Sequence, residues 1–133
     1  MTWGEEVAAM RIEARGDLAV FAALLALRKA EGGSAGREFG VLSERAPTYT
    51  QQCHIAANSL RHSIDRAMTD GIPVRTSDGF FTDHLLEMFS ARWAPRGVAN
   101  DPHELNANHA TNLKHFQARA VLYLVGVLDA VLL

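Results

Sequence analysis

The chain reads as an all-α domain of about five helices, with room for one small β excursion. Three observations predict this. Apolar residues recur at three- and four-residue spacing in successive stretches, the pattern of helices with one face turned to a core. Those stretches are bounded by capping residues, glycines and prolines at the places where helices start and stop. No internal repeat, low-complexity tract or long Pro/Ser linker divides the 133 residues, a length usual for one domain. Residues 1–133 are therefore expected to form a single domain.

The first helix is expected over about Trp3 to Ala14 and ends at Arg15-Gly16. Asp17 is a natural N-cap for the second, which sets Leu18, Phe21, Leu24 and Leu25 on one broad face. Leu27 falls off that face, so burial on more than one side is expected. Arg28 and Lys29 lie near the C-terminus, where cations suit the helix dipole, and Gly32-Gly33 stop the helix. From Gly33 to Thr48 the composition turns to Gly, Ser, Pro and charges, with Phe39, Val41 and Leu42 as large apolar anchors. That reads as a long loop or a small irregular β element, and a loop this long in a small domain is often functional. A third helix, about Thr50 to Thr69, carries Ile55, Leu60, Ile64 and Met68 at helical spacing before Asp70-Gly71-Ile72-Pro73. Val74 to Gly79 is a connector. Thr82 caps a fourth helix, Asp83 to Trp93, whose Leu85, Leu86, Phe89 and Trp93 share a face until Pro95. A polar loop spans Gly97 to Asn108, and a last helix runs from Ala110 to about Leu132.

Composition excludes several classes. Hydrophobic residues are 48% and charged residues 21% of the chain, ordinary for a packed domain and unlike a disordered or collagenous one. The net charge of -2, with Lys and Arg scattered, leaves no electrostatic footprint for nucleic acid. The single Cys53 rules out a disulfide scaffold. Glu5, Glu6, Arg11 and Glu13 interrupt the stretch where a classical signal peptide would need a basic start and an apolar run. Ala120 to Leu133 is the most apolar run, yet it is short of the ~20 residues that span a bilayer and contains Asp129, so no membrane span is expected. Leu122, Leu124, Val125, Val127, Leu128, Leu132 and Leu133 are distributed around that helix's axis, more apolar surface than one buried stripe requires. This helix is expected to serve the core or a partner interface.

Glu31 stands out among the charged residues. A helix C-terminus carries partial negative charge, a poor place for a carboxylate chosen only for stability. After it come two glycines that permit close backbone approach, and then Phe39-Gly40-Val41-Leu42-Ser43. The helix reading His54-Ile55-Ala56-Ala57-Asn58-Ser59-Leu60-Arg61-His62-Ser63-Ile64 follows. In order and spacing these phrases resemble the lysozyme-like superfamily and, within it, the soluble lytic transglycosylases. There an apolar helix ends in the acid glutamate, a Gly-Leu-Met-Gln loop follows, and a helix with Asn-Ile and Tyr-Leu phrases comes next. The likeness covers about Asp17 to Met68. Further on, Trp93-Ala94-Pro95, Asn100-Asp101-Pro102 and Leu105-Asn106-Ala107-Asn108-His109 resemble a phrase of peptidoglycan-hydrolase domains in bacteriophage virion proteins.

The resemblance implies a lysozyme-like fold that acts on peptidoglycan glycan strands, with Glu31 as general acid/base and Ser43, Tyr49, Asn106 and His109 along the substrate groove. It also implies a virion-associated or cell-envelope location, and contacts with other virion proteins through the apolar last helix. Ser43 stands where the family has Gln and Gly32 where it has Ser, and the Ala-Tyr-Asn-Ala-Gly phrase of transglycosylases is absent. The residues themselves allow the chemistry. Glycoside cleavage needs an acid to protonate the leaving oxygen, and most glycosidases pair it with a second carboxylate. Glu38, Glu44, Asp78 and Asp101 are the available partners, and Tyr49, Phe39, Phe80 and Trp93 are the aromatics that offer sugar-stacking faces. The Asn and Asp residues of the second half have a plainer use as turn and cap residues, Asn108 as the N-cap of the last helix, and Trp93 at helical spacing suits the core. Six histidines raise the question of metal. No His-Glu-x-x-His occurs, and His103, His109 and His115, six apart, do not share a helix face, so neither metal nor other cofactor is expected. Cys53 and His54 are adjacent, and neighbouring helix residues point about 100° apart, which disfavours a thiol-imidazole dyad. A second function class remains open beside the enzyme: a non-catalytic helical structural or adaptor protein of a phage particle that keeps the fold.

Overall fold

The computed structural model describes residues 1–41, 48–95 and 105–132. Among the described residues five α-helices carry the fold: α1 Trp3–Ala14, α2 Leu18–Glu31, α3 Tyr49–Thr69, α4 Asp83–Trp93 and α5 His109–Leu132, with a 3-10 turn Leu105–Asn108 leading into α5. The all-α expectation holds.

Local chemistry sets the helix starts. The Asp17 carboxylate accepts from the amides of Ala19 (2.9 Å) and Val20 (3.3 Å), and the Thr82 hydroxyl accepts from Leu85 (3.1 Å). Each occupies an amide that the helix leaves without an internal partner. Thr48 caps α3 through a reciprocal box with Gln51. Arg15, in the left-handed region at φ 53°, ends α1, and Gly32 at φ 57° ends α2.

The core is assembled around α2. Ala19, Val20, Phe21, Ala22, Ala23, Leu24, Ala26 and Leu27 are all buried, which makes α2 a central helix covered on several sides. It packs against α5, α1 and α3, and α3 and α5 each pack against α4. Fully burying one leucine of this kind contributes about 1.5–3 kcal/mol. Leu18, expected on the apolar face, is 46% exposed because it lies at the open end of the helix.

Two further expectations are corrected. In α3 the buried face is Gln52, Cys53, Ala56, Ala57, Leu60, Ser63 and Ala67, while Met68 is exposed. Small side chains along that stripe let neighbouring helices approach, so bulk alone misplaced the face by about one residue. The β excursion lies in the connector: among the described residues the extended pairing is one antiparallel bridge between Arg75 and Phe81. Residues 33–41, where a β element was an option, form turns closed by Arg37 N to Ser34 O (2.8 Å) and Gly40 N to Arg37 O (3.0 Å).

Candidate active site

Glu31 is the last residue of α2, and the chain behind it doubles back at once. The Gly32 amide donates to the Arg28 carbonyl at 3.1 Å. At Gly33 a Cβ would overlap the Arg37 carbonyl group, so the turn can be this tight only with glycine. The return stroke brings Gly40, at φ 77°, against the Glu31 carboxyl, where a Cβ would collide with Oε2.

Loop 33–41 is held from beneath. Gln52, fully buried in the first turns of α3, accepts at Oε1 from the amides of Phe39 (3.3 Å) and Val41 (3.1 Å). Its Nε2 donates to the carbonyls of Gly36 (2.9 Å) and Val41 (2.8 Å). One side chain thus substitutes for a missing strand partner. Arg28 adds a second brace, with Nε on Glu6 (2.7 Å) and Nη1 on the carbonyls of Gly33 (3.2 Å) and Glu38 (3.3 Å). Phe39 is fully buried beside the Tyr49 ring, 5.6 Å away.

The other wall comes from α4 and α5. His109 opens α5 and is only 8% exposed. Its Nε2 lies 2.8 Å from Glu31 Oε1, and its Nδ1 lies 2.6 Å from the hydroxyl of Ser90 in α4. The Glu31 side chain keeps 19% of its surface exposed. Three helices therefore converge on one carboxylate. The first turn of α5 carries partial positive charge, which offsets the opposite charge at the end of α2.

This chain of contacts works in two protonation states. With the carboxylate ionised and the imidazole neutral, Nε2–H donates to Oε1 and the Ser90 hydroxyl donates to Nδ1. With one more proton on the pair, Nδ1–H donates to the Ser90 oxygen instead. A hydroxyl serves both, since it is donor and acceptor. Serine, histidine and a carboxylate also make nucleophilic triads, but there the serine must reach substrate. Ser90 is 4% exposed in mid-helix, so the accessible end of the array is Glu31.

The remaining residues singled out in the sequence fall elsewhere. Tyr49, expected along a groove, is instead buried, with its hydroxyl donating to the Glu6 carbonyl (3.1 Å), and burial pushes its phenol well above the usual range. A ring enclosed this way braces the loop and offers no sugar platform. Asn106 donates from its amide to the Pro95 carbonyl (3.1 Å), tying the 3-10 turn that contains Asn108 to the end of α4. Ser43, Glu44 and Asp101 lie outside the described residues. Glu38 is buried: its Oε1 accepts from the Gly36 amide (2.8 Å), and its Oε2 has no partner among the described residues. Asp78 is exposed in the connector. Phe39 and Phe80 are buried, and Trp93 stacks on Phe89 at 5.4 Å. Burial pushes the Cys53 thiol up to about 12, and His54 turns instead to Glu13 (3.0 Å), so the two form no dyad. Among the described residues no three His, Cys, Asp or Glu side chains gather into a metal-binding group, and no helix is long and apolar enough to cross a membrane.

Clefts among the described residues include one of about 110 Å³ between α3 and α4, one of about 850 Å³ between α1, α2 and α5, and one of about 380 Å³ beside Glu13 and His54. None of these is lined by Glu31. The stretches that adjoin the site in sequence, 42–47 after Val41 and 96–104 before Leu105, lie outside the described residues. Sequence reasoning missed Gln52, Ser90 and Arg28. The available signal was a polar residue at a buried register: Gln52 precedes Cys53, and Ser90 follows Phe89, on faces that are otherwise apolar. In comparisons with protein-family models, with curated proteins and with solved structures, nothing matches this chain.

Proposed function

We propose that this chain cleaves the glycan strands of peptidoglycan, as a lytic transglycosylase or muramidase of lysozyme-like type, with Glu31 as general acid/base. The observation that carries the reading is the setting of the Glu31 carboxyl. One oxygen rests on His109 at 2.8 Å, the other lies along the exposed Gly40, and 19% of the side chain stays open. A general acid must lie within reach of the leaving sugar oxygen, and the open part of the Glu31 carboxyl is the part that can reach it. After bond breaking the same carboxylate takes a proton, from the muramyl 6-hydroxyl in transglycosylation or from water in hydrolysis. His109 fixes the rotamer of the acid, and Ser90 fixes the ring of His109. Asn106 and the 3-10 turn hold the start of α5, and Ser43 is a groove residue in this reading. The order of the motifs around Glu31, and the phrase from Trp93 to His109, support a virion-associated or envelope location.

The test is digestion of purified sacculi followed by mass spectrometry of the soluble products. Anhydro-muramyl ends are expected for transglycosylation and reducing ends for hydrolysis; undigested sacculi would remove the enzymatic reading. One observation favours a second reading, a non-catalytic structural or adaptor protein of a phage particle. The 850 Å³ cleft between α1, α2 and α5 is bordered by Trp3 and Tyr123, with Leu122 and Val125 also exposed on α5. Inactive wild-type protein that assembles stably with particle proteins would support it.

A further inference from the structure

The smaller cleft between α3 and α4 has a chemistry unrelated to Glu31. From α3 come Ser59, His62, Ser63 and Arg66, and from α4 come Arg92 and Trp93. Among the described residues no carboxylate lines it. Arg66 donates to the buried Ser63 hydroxyl at 3.0 Å, and among the described residues neither it nor Arg92 has a carboxylate partner. Arg28 and Arg75, by contrast, are paired with acids at 2.7 and 2.6 Å. The cavity of about 110 Å³ suits a single small group, since a water molecule's share of volume is about 30 Å³. Guanidinium groups match the geometry of planar or tetrahedral oxyanions, with two N–H groups presented side by side. The Ser59 hydroxyl and the His62 imidazole, also in the lining, are further hydrogen-bonding groups. Trp93, stacked on Phe89 at 5.4 Å, borders the same cleft.

We propose that this cleft is an oxyanion-binding site, which takes a carboxylate or phosphate group borne beside a flat or sugar-like ring, with Arg66 and Arg92 as its principal ligands. Its ligand class rests on the cell-wall reading proposed above, while the cleft itself is separate from Glu31. A polymer of the cell wall carries both kinds of anion, as peptide carboxylates and as phosphodiesters, and the probes separate them. Isothermal titration of the full chain at low salt, with inorganic phosphate and with N-acetylmuramic acid, is the experiment. Saturable binding is expected, and Arg66→Gln and Arg92→Gln should each weaken it about tenfold, as the loss of a charge-assisted bond implies. Arg66→Lys, which keeps the charge and loses the fork, should fall between. Preference for the muramic acid identifies a carboxylate ligand, and preference for phosphate identifies a phosphate ligand. The readout is binding lost in the arginine variants and not digestion, so failure here and failure of the enzymatic reading are separable. Absence of saturable binding by either probe, or wild-type affinity in both glutamine variants with unchanged circular dichroism, would overturn the proposal.

Discussion

At the scale of single residues, the site depends on an absence as much as on a presence. Gly40 has no Cβ, and that is what admits the Glu31 carboxyl beside the returning chain. Gly40→Ala therefore adds backbone strain at φ 77° and a collision with Oε2. We expect a loss of about 1–3 kcal/mol in stability, and loss of wall digestion, measured by urea unfolding and by release of soluble products. Ser90 tests the other side of the carboxylate. Ser90→Ala leaves Glu31 and His109 in place and removes the 2.6 Å partner of Nδ1. Digestion should slow by about tenfold, because the His109 ring loses the partner that orients it against Glu31. An unchanged rate would show that the hydroxyl has no part in positioning. Glu31 drew attention in the sequence because a carboxylate ends an apolar helix just before Gly32 and Gly33; its contact with Gly40, across the loop, was not readable there. Ser90 was not legible either, since its polar side chain at a buried register is only a weak local signal and its partner is nineteen residues away.

At the scale of elements, helix starts were readable and the loop support was not. The Asp17 and Thr82 side chains bond amides two or three residues ahead, so their effect is written in the local order of residues. Gln52 acts on residues 11 to 16 positions earlier, and its importance emerges only when α3 is laid under loop 33–41. The face of α3 was misread for a related reason: Ala56, Ala57 and Ala67 bury little area each, yet permit the close packing that selects the face. Gln52→Leu preserves bulk and helix propensity while it removes the four loop bonds. With each unsatisfied buried group costing about 1–3 kcal/mol, we expect at least about 3 kcal/mol of destabilisation. Hydrogen exchange should show lost protection at the Phe39 and Val41 amides. Retained protection at both would contradict the assigned role of Gln52.

At the scale of the whole molecule, α2 is the axis, and the acid at its end is fixed by elements that arrive from distant parts of the chain. Such an assembly should weaken as a unit at alkaline pH. Cys53 is raised from 9.0 to about 12 by burial, and Tyr49 is raised from 10.0 by the same cause. Below pH 9.0 the thiol is protonated in folded and unfolded chains alike, and its contribution does not vary. Between 9.0 and about 12 only the unfolded chain releases the proton, so stability falls as pH rises. Urea unfolding across that window should give a flatter curve for Cys53→Ala than for the wild type, and parallel curves would refute the buried thiol's share. The general acid/base assignment is tested most directly by digestion of purified sacculi with the wild type and Glu31→Gln at matched helicity and melting temperature. We predict soluble muropeptides from the wild type and none from the glutamine variant. Release at the wild-type rate by Glu31→Gln would contradict it.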